Sequence, residues 1–85
     1  MSCQVSGADL FTSEQLRAGR MLLRWEQRDL ASASKVSLAT VKRLEGKPGL
    51  VLANQVTLEA IRRAFLEAGV EFTNGDAPGV RMKRR

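Results

Sequence analysis

The sequence contains no histidine and a single cysteine, Cys3. Without imidazoles or a second thiolate, a zinc site of the usual Cys/His type is excluded. A disulfide within the chain is impossible on the same count, and the cytosol is the expected compartment. The carboxylates Glu14, Glu26, Glu59, Glu67 and Glu71 show no paired arrangement suited to acid/base work, and no nucleophile stands beside a base. An enzyme is therefore the reading that the pattern favours least. No apolar run approaches the ~20 residues of a membrane span. The opening MSCQVSGADL has no basic region leading into an apolar one, so no signal peptide is expected. Nothing in the pattern asks for a cofactor.

What is present in excess is positive charge. Fourteen Lys and Arg stand against nine Asp and Glu, leaving +5, with a sequence pI near 10.4. Such a balance suits a polyanionic partner, nucleic acid or an anionic membrane surface, although small proteins are also mildly basic for solubility alone. The 85 residues make one domain with one modest core, since a chain this short buries only about 60–65% of its unfolded surface.

Residues 1–10 carry no strong periodicity and read as a disordered arm. Order begins at FTSEQLRAGRMLLR. Thr12 and Gln15 have the spacing of a capping box, and Phe11 and Leu16 that of a hydrophobic staple. A helix is expected from Ser13 to Leu23 or Arg24. Leu16, Leu22 and Leu23, with Met21 or the Gly19–Arg20 pair, form its apolar face beside an Arg-bearing one. Glu26 or Gln27 opens a second helix, with Asp29 near its positive end. Leu30 and Ala31 face inward, and the weakly apolar SASK ends it. Ser37 caps a third helix whose inward residues are Val41 and Leu44, and Gly46 is expected to stop it in a left-handed conformation.

KPGLVLA reads as a loop. Asn54 or Thr57 caps a fourth helix with Leu58, Ile61, Phe65 and Leu66 inward, Arg62 and Arg63 outward, and Gly69 at its close. The period then changes. VEFT and VRMK alternate around NGDAPG, which predicts a β-hairpin with a longer loop, followed by the basic tail RMKRR. Trp25 reads as core or rim packing. Phe11, Phe65 and Phe72 read as core, Met21 and Met82 as packing. The tail is either a solvated end or an added source of phosphate attraction.

The stretch DLASASKVSLATVKRLEGK thus contains two short helices joined by a tight turn, a helix-turn-helix. That geometry wants a small residue at Ala31, where the second helix crosses, an apolar plug at Val36, and Val41 and Leu44 as anchors. All four are in place. LRAGRMLLRWEQRDLASASKVSLATVKRLEGK, and within it WxQxxLAxxxxVSxxTVxRLE, resembles the Cro/repressor-type (XRE) helix-turn-helix family. The resemblance covers about Leu16 to Leu66, and GVEFTNGDAPGVRMK is similar to a tail found on a subset of short bacterial members.

The resemblance implies a mostly α fold: a repressor-like helix-turn-helix bundle of four to five helices over residues 11–69, with a C-terminal β-hairpin and basic tail over 70–85. It implies a sequence-specific transcriptional regulator whose recognition helix, about 37–45, lies in the major groove of double-stranded DNA. Ser37, Leu38, Ala39, Lys42 and Arg43 then face the bases. Arg43 suits guanine O6 and N7, worth about 1–3 kcal/mol of discrimination, and Lys42 reaches base edge or phosphate. Gln27, Arg28, Lys35, Thr40 and Lys47 fall to the phosphates, Gln27 also bracing the reading helix from a helix start that offers free N–H groups. Arg20 and Glu45 match a pair that forms an internal salt bridge in the family. One departure stands out. Lys35 occupies the turn position usually held by Gly, where a positive φ costs a side-chain-bearing residue roughly 1 kcal/mol or more.

A single recognition helix reads few bases, so a symmetric homodimer is expected. Val70, Phe72, Val80 and Met82 must bury their apolar face on the helical body, a partner or both, and the dimer is expected through strand pairing or through the fourth helix and hairpin. Two other readings keep the same core. One is an antitoxin that gives part of its surface to a toxin, and the other a protein-interaction module without DNA binding.

Overall fold

The computed structural model describes residues 11–73 and 79–83. The arm at 1–10, the hairpin loop at 74–78 and the last two residues of the tail lie outside these. Four helices, α1 (Ser13–Leu23), α2 (Gln27–Ser34), α3 (Leu38–Glu45) and α4 (Gln55–Glu67), precede an antiparallel hairpin of β1 (Val70–Thr73) and β2 (Gly79–Met82). The molecule is a helix-turn-helix bundle with a C-terminal hairpin.

Local chemistry sets most of the helix starts. At α1, Thr12 Oγ1 accepts from the Gln15 amide at 3.0 Å, and Gln15 Oε1 accepts from the Thr12 amide at 2.9 Å. Both donors would otherwise be orphaned at the helix start. Ser37 caps α3 by accepting from the Thr40 amide, and Asn54 caps α4 by accepting from the Thr57 amide. At α2, the Asp29 carboxylate reaches back to the Glu26 amide at 2.8 Å. Gly46 follows α3 but lies in the right-handed region, at φ −78 and ψ −14. Left-handed freedom is therefore not what ends this helix. Pro48 supplies the stop, because its ring disfavours helical backbone at the preceding Lys47.

The core gathers Phe11, Leu16, Leu30, Val41, Leu44, Val51, Leu58, Ile61, Ala64, Phe65 and Val70. All four aromatic side chains join in one line. Phe11 meets Phe72 at 5.0 Å between centroids, Phe72 meets Phe65 at 5.3 Å, and Phe65 stacks on Trp25 at 5.7 Å. Such pairs add about 0.5–1.5 kcal/mol each beyond the area they bury. α1 presents Leu16 and Gly19 to this core. A Cβ at Gly19 would lie 3.1 Å from Phe65 Cε1, so the ring packs directly on the helix backbone.

Four apolar expectations fail. Met21 is 69% exposed and Leu22 43%, because Met21 lies about 140° round the helix from Leu16 and only one face meets the core. Leu66 and Met82 are likewise exposed. Leu66 flanks a shallow groove between α4 and the hairpin. Met82 pairs with Val70 at the open end of the ladder.

The hairpin closes on its own molecule. Val70 is buried, and Phe72 and Val80 pack on the core. Gln15 holds the other end: while its Oε1 caps α1, its Nε2 donates to the carbonyls of Thr73 and Gly79 at 2.9 and 3.0 Å. Gly69, at φ +98, makes the turn from α4 into β1. The loop between α3 and α4 is tied to the start of α1. The Ser13 amide donates to the Gly49 carbonyl and the Val51 amide to the Phe11 carbonyl, and Glu14 Oε1 accepts from the Gly49 amide.

Candidate nucleic-acid interface

α3 is divided lengthwise. Val41, Leu44 and Glu45 are buried, while Ser37, Leu38, Ala39, Lys42 and Arg43 face outward and Thr40 is half-buried between them. The division follows from the 3.6-residue period: Val41 and Leu44 are three apart and fix the inner stripe, which leaves the opposite stripe to solvent. Lys47, just past the helix end, is also exposed. The only carboxylate between Ser37 and Lys47 is Glu45, and it is turned inward. The outer face therefore carries small, apolar and cationic groups with no competing negative charge.

Glu45 is the point where three helices meet. Arg20 of α1 grips it in a forked pair, Nε to Oε2 at 2.7 Å and Nη2 to Oε1 at 2.8 Å. Gln27, the first residue of α2, donates Nε2 to Oε1 at 3.2 Å. Arg20 Nη1 also holds the Trp25 carbonyl at 2.9 Å. The two charged side chains are 14% and 4% exposed, so the pair works in a medium of low polarity where a broken partner is costly. Its effect is to set the pitch of α3 against the rest of the bundle.

Arg17 was not singled out by the sequence, yet it completes this anchor. Its Nη1 donates to the backbone carbonyl of Glu45 at 2.9 Å, where the last turn of a helix carries partial negative charge. The available signal was its position three residues before Arg20 on the same helix face.

The remaining candidates lie on α2, in the turn that follows it and at the start of α3. Gln27 keeps one amide hydrogen beyond its bond to Glu45, beside the free N–H groups of the first turn of α2. Arg28 is exposed and pairs with Glu26 at 2.9 Å, both side chains largely in solvent, an arrangement worth little on its own and readily exchanged. Ser37 has its hydroxyl engaged twice, accepting from the Thr40 amide and donating to Thr40 Oγ1 at 2.9 Å. Its first task is to start α3. Lys35 is exposed with φ 63 and ψ 26, the left-handed turn expected from the missing glycine. Arg24 takes the same conformation at the end of α1, φ 58 and ψ 37, which no local pattern announced. Two carboxylates on other faces sit below their ordinary range. Glu14 is held down by its own amide and that of Gly49, and Glu71 by the hydrogen bond from Arg81.

Among the described residues, no group of three or more His, Cys, Asp or Glu could hold a metal ion, and no helix is long and apolar enough to cross a membrane. No protein-family model matches this chain, and no curated protein or solved structure is significantly similar to it.

Proposed function

We propose that this protein is a sequence-specific DNA-binding transcriptional regulator of the cytoplasm that places α3 in the major groove and acts as a homodimer. One observation carries the reading. The outer face of α3 offers Leu38, Ala39, Lys42 and Arg43 to solvent, while its one carboxylate is locked inward against Arg20. A helix so divided can approach a polyanion without desolvating a like charge, and its width fits the major groove. Arg43 is the base-reading arginine, forked onto a guanine edge. Leu38 and Ala39 offer apolar contact to a thymine methyl. Arg28, Lys35 and Lys47, with Gln27 and Thr40, hold the flanking phosphates, which fix position without reading sequence.

Selection from random duplexes with the purified protein tests this directly, since it returns binding, preferred sequence and half-site spacing together. Three phosphate cations per protomer predict that log K falls with log salt at a slope of about −3 for one half-site. Arg43→Ala is expected to remove preference at one base position at a cost of about 1–3 kcal/mol, and Lys47→Ala to weaken all sequences alike. Equal losses on selected and random DNA for both variants would end the assignment of Arg43.

A further inference from the structure

The segment between α3 and α4 pairs with the first described residues of the chain. Thr12 and Leu50 form an antiparallel bridge. It is bracketed by bonds from the Ser13 amide to the Gly49 carbonyl at 2.9 Å and from the Val51 amide to the Phe11 carbonyl at 3.0 Å. Bonds made by the residues on either side of a pair mark it as the non-hydrogen-bonded kind, in which opposite side chains stand closest. The next pair is Phe11 with Val51, and both side chains are buried, at 1% and 4% exposure. Opposite residues thus share a face here, as a ladder requires.

On the other face, Leu50 is 55% exposed and Leu52 76%. The segment alternates, with Val51 and Ala53 turned to the core. An outward position in such an alternation is ordinarily polar, so two leucines there call for a cover. They line a cleft of about 710 Å³ together with Arg43, Lys47 and Pro48. The register supplies the cover. One step beyond Phe11 and Val51, the residue opposite Leu52 is Leu10, on the same face as Thr12 and within diagonal reach of Leu50. The arm also suits the cations of the cleft, since residues 1–10 contain no Lys or Arg and one acid, Asp9.

We propose that residues 9 and 10 extend this pairing, so that Leu10 packs on Leu52 and Leu50 and the chain's own arm covers the apolar segment. The ladder then gains two bonds, from the Phe11 amide to the Val51 carbonyl and from the Ala53 amide to the Asp9 carbonyl. It ends there, because the next residue, Asn54, caps α4. The arm leaves the body beside the start of α4, and any protein partner for Leu50 and Leu52 has to displace it. The contact is independent of DNA binding.

Two measurements on the whole chain test it. In a Cys3→Ser background, Leu10→Cys/Leu52→Cys puts thiols on directly opposite residues with Cα atoms about 4.5 Å apart, within disulfide range. In a glutathione buffer this pair is expected to close within one molecule at least tenfold more favourably than Leu10→Cys/Met21→Cys, whose second thiol lies on the solvent face of α1. Leu52 faces solvent, so folding is not at stake. Equal closure of the two pairs overturns the proposal, as does cross-linking only between molecules, which would make a second copy the cover. Hydrogen exchange needs no new bond. The Ala53 amide is expected to exchange at least tenfold faster in Leu10→Asp than in wild type, while the Val51 amide, held by Phe11, changes far less. An Ala53 amide that exchanges at one rate in both proteins overturns the proposal as well.

Discussion

Glu45→Ala removes the acceptor of three hydrogen bonds at once, two from Arg20 and one from Gln27. The guanidinium it abandons is 14% exposed along its side chain and keeps only the Trp25 carbonyl at 2.9 Å. Breaking a buried pair from one side costs about 3–5 kcal/mol, and the remaining carbonyl and partial exposure put this case near 3 kcal/mol. A chain of this length has about 4–13 kcal/mol in total at the usual 0.05–0.15 kcal/mol per residue. The variant should therefore lose a quarter or more of its stability. With a urea slope of about 1 kcal/mol per molar, the midpoint should fall by about 3 M. Removing both charges together, as in Arg20→Met/Glu45→Leu, leaves no unpaired charge and should recover most of the loss, short of wild type by about 1 kcal/mol for the Trp25 carbonyl that Arg20 no longer holds. The recovered protein would still lack the bond from Gln27, so its half-site affinity should remain reduced although it is folded. A Glu45→Ala cost below about 1 kcal/mol, the figure for an exposed pair such as Arg28 with Glu26, would refute the anchor.

Lys35→Gly should raise thermal stability slightly, by about half a kcal/mol, since relief of the left-handed strain outweighs the added freedom of the unfolded chain. The same variant should bind DNA more weakly with a salt slope smaller by about 1, and a lower melting temperature would speak against strain at this turn. Gly19→Ala places a methyl 3.1 Å from Phe65 Cε1, and that ring is confined by Trp25 and Phe72. Overpacking at about 1–3 kcal/mol exceeds the helix-propensity gain of about 1 kcal/mol, so chemical denaturation should report a net loss, and a gain would mean that α1 lifts freely. Acid should loosen the hairpin. The folded Glu71 carboxyl titrates below its usual value because Arg81 donates to it, so its contribution is present above the unfolded value of about 4.3 and is lost as pH falls through the lower folded value. Melts taken down the acid limb should show a shallower fall for Glu71→Gln than for wild type, and identical limbs would exclude this contribution.

The parts of the fold that were legible are those decided within a few residues. Thr12 with Gln15, Ser37 with Thr40 and Asn54 with Thr57 are all three apart, so the sequence alone places the donor beside its acceptor. Val41 and Leu44 likewise fix which side of α3 turns inward, and the exposed outer face follows from them by periodicity. What escaped depends on chain ends that meet only after folding. Gln15 was readable as a cap, but its second role, clamping Thr73 and Gly79 some sixty residues away, needs the hairpin in place. Met21, Leu22 and Leu23 are adjacent and all apolar, and hydrophobicity alone does not separate them. The angle to Leu16 does: Leu23 lies about 20° round the helix from it and packs on the core, while Met21 lies about 140° away and is left in water.

The same distinction governs the candidate site and explains why a family resemblance was needed there. Arg20 and Glu45 are twenty-five residues apart, and no periodicity links them. Composition supplies nine acids and fourteen bases and no rule for pairing them. Once α1 and α3 cross, however, the pairing is forced. The Arg17 side chain holds the backbone carbonyl of Glu45 and the Arg20 side chain its carboxylate, so one arginine face of α1 both neutralises the only carboxylate of α3 and fixes that helix in place. Clearing negative charge from the outer face and setting the angle of α3 are then one event, and a substitution that frees Glu45 should impair both together: a swung-out carboxylate would repel phosphate while α3 loses its stop. Stability and DNA affinity should accordingly fall in step across substitutions at Arg20, whereas substitutions at Lys42 or Arg43 should move affinity alone.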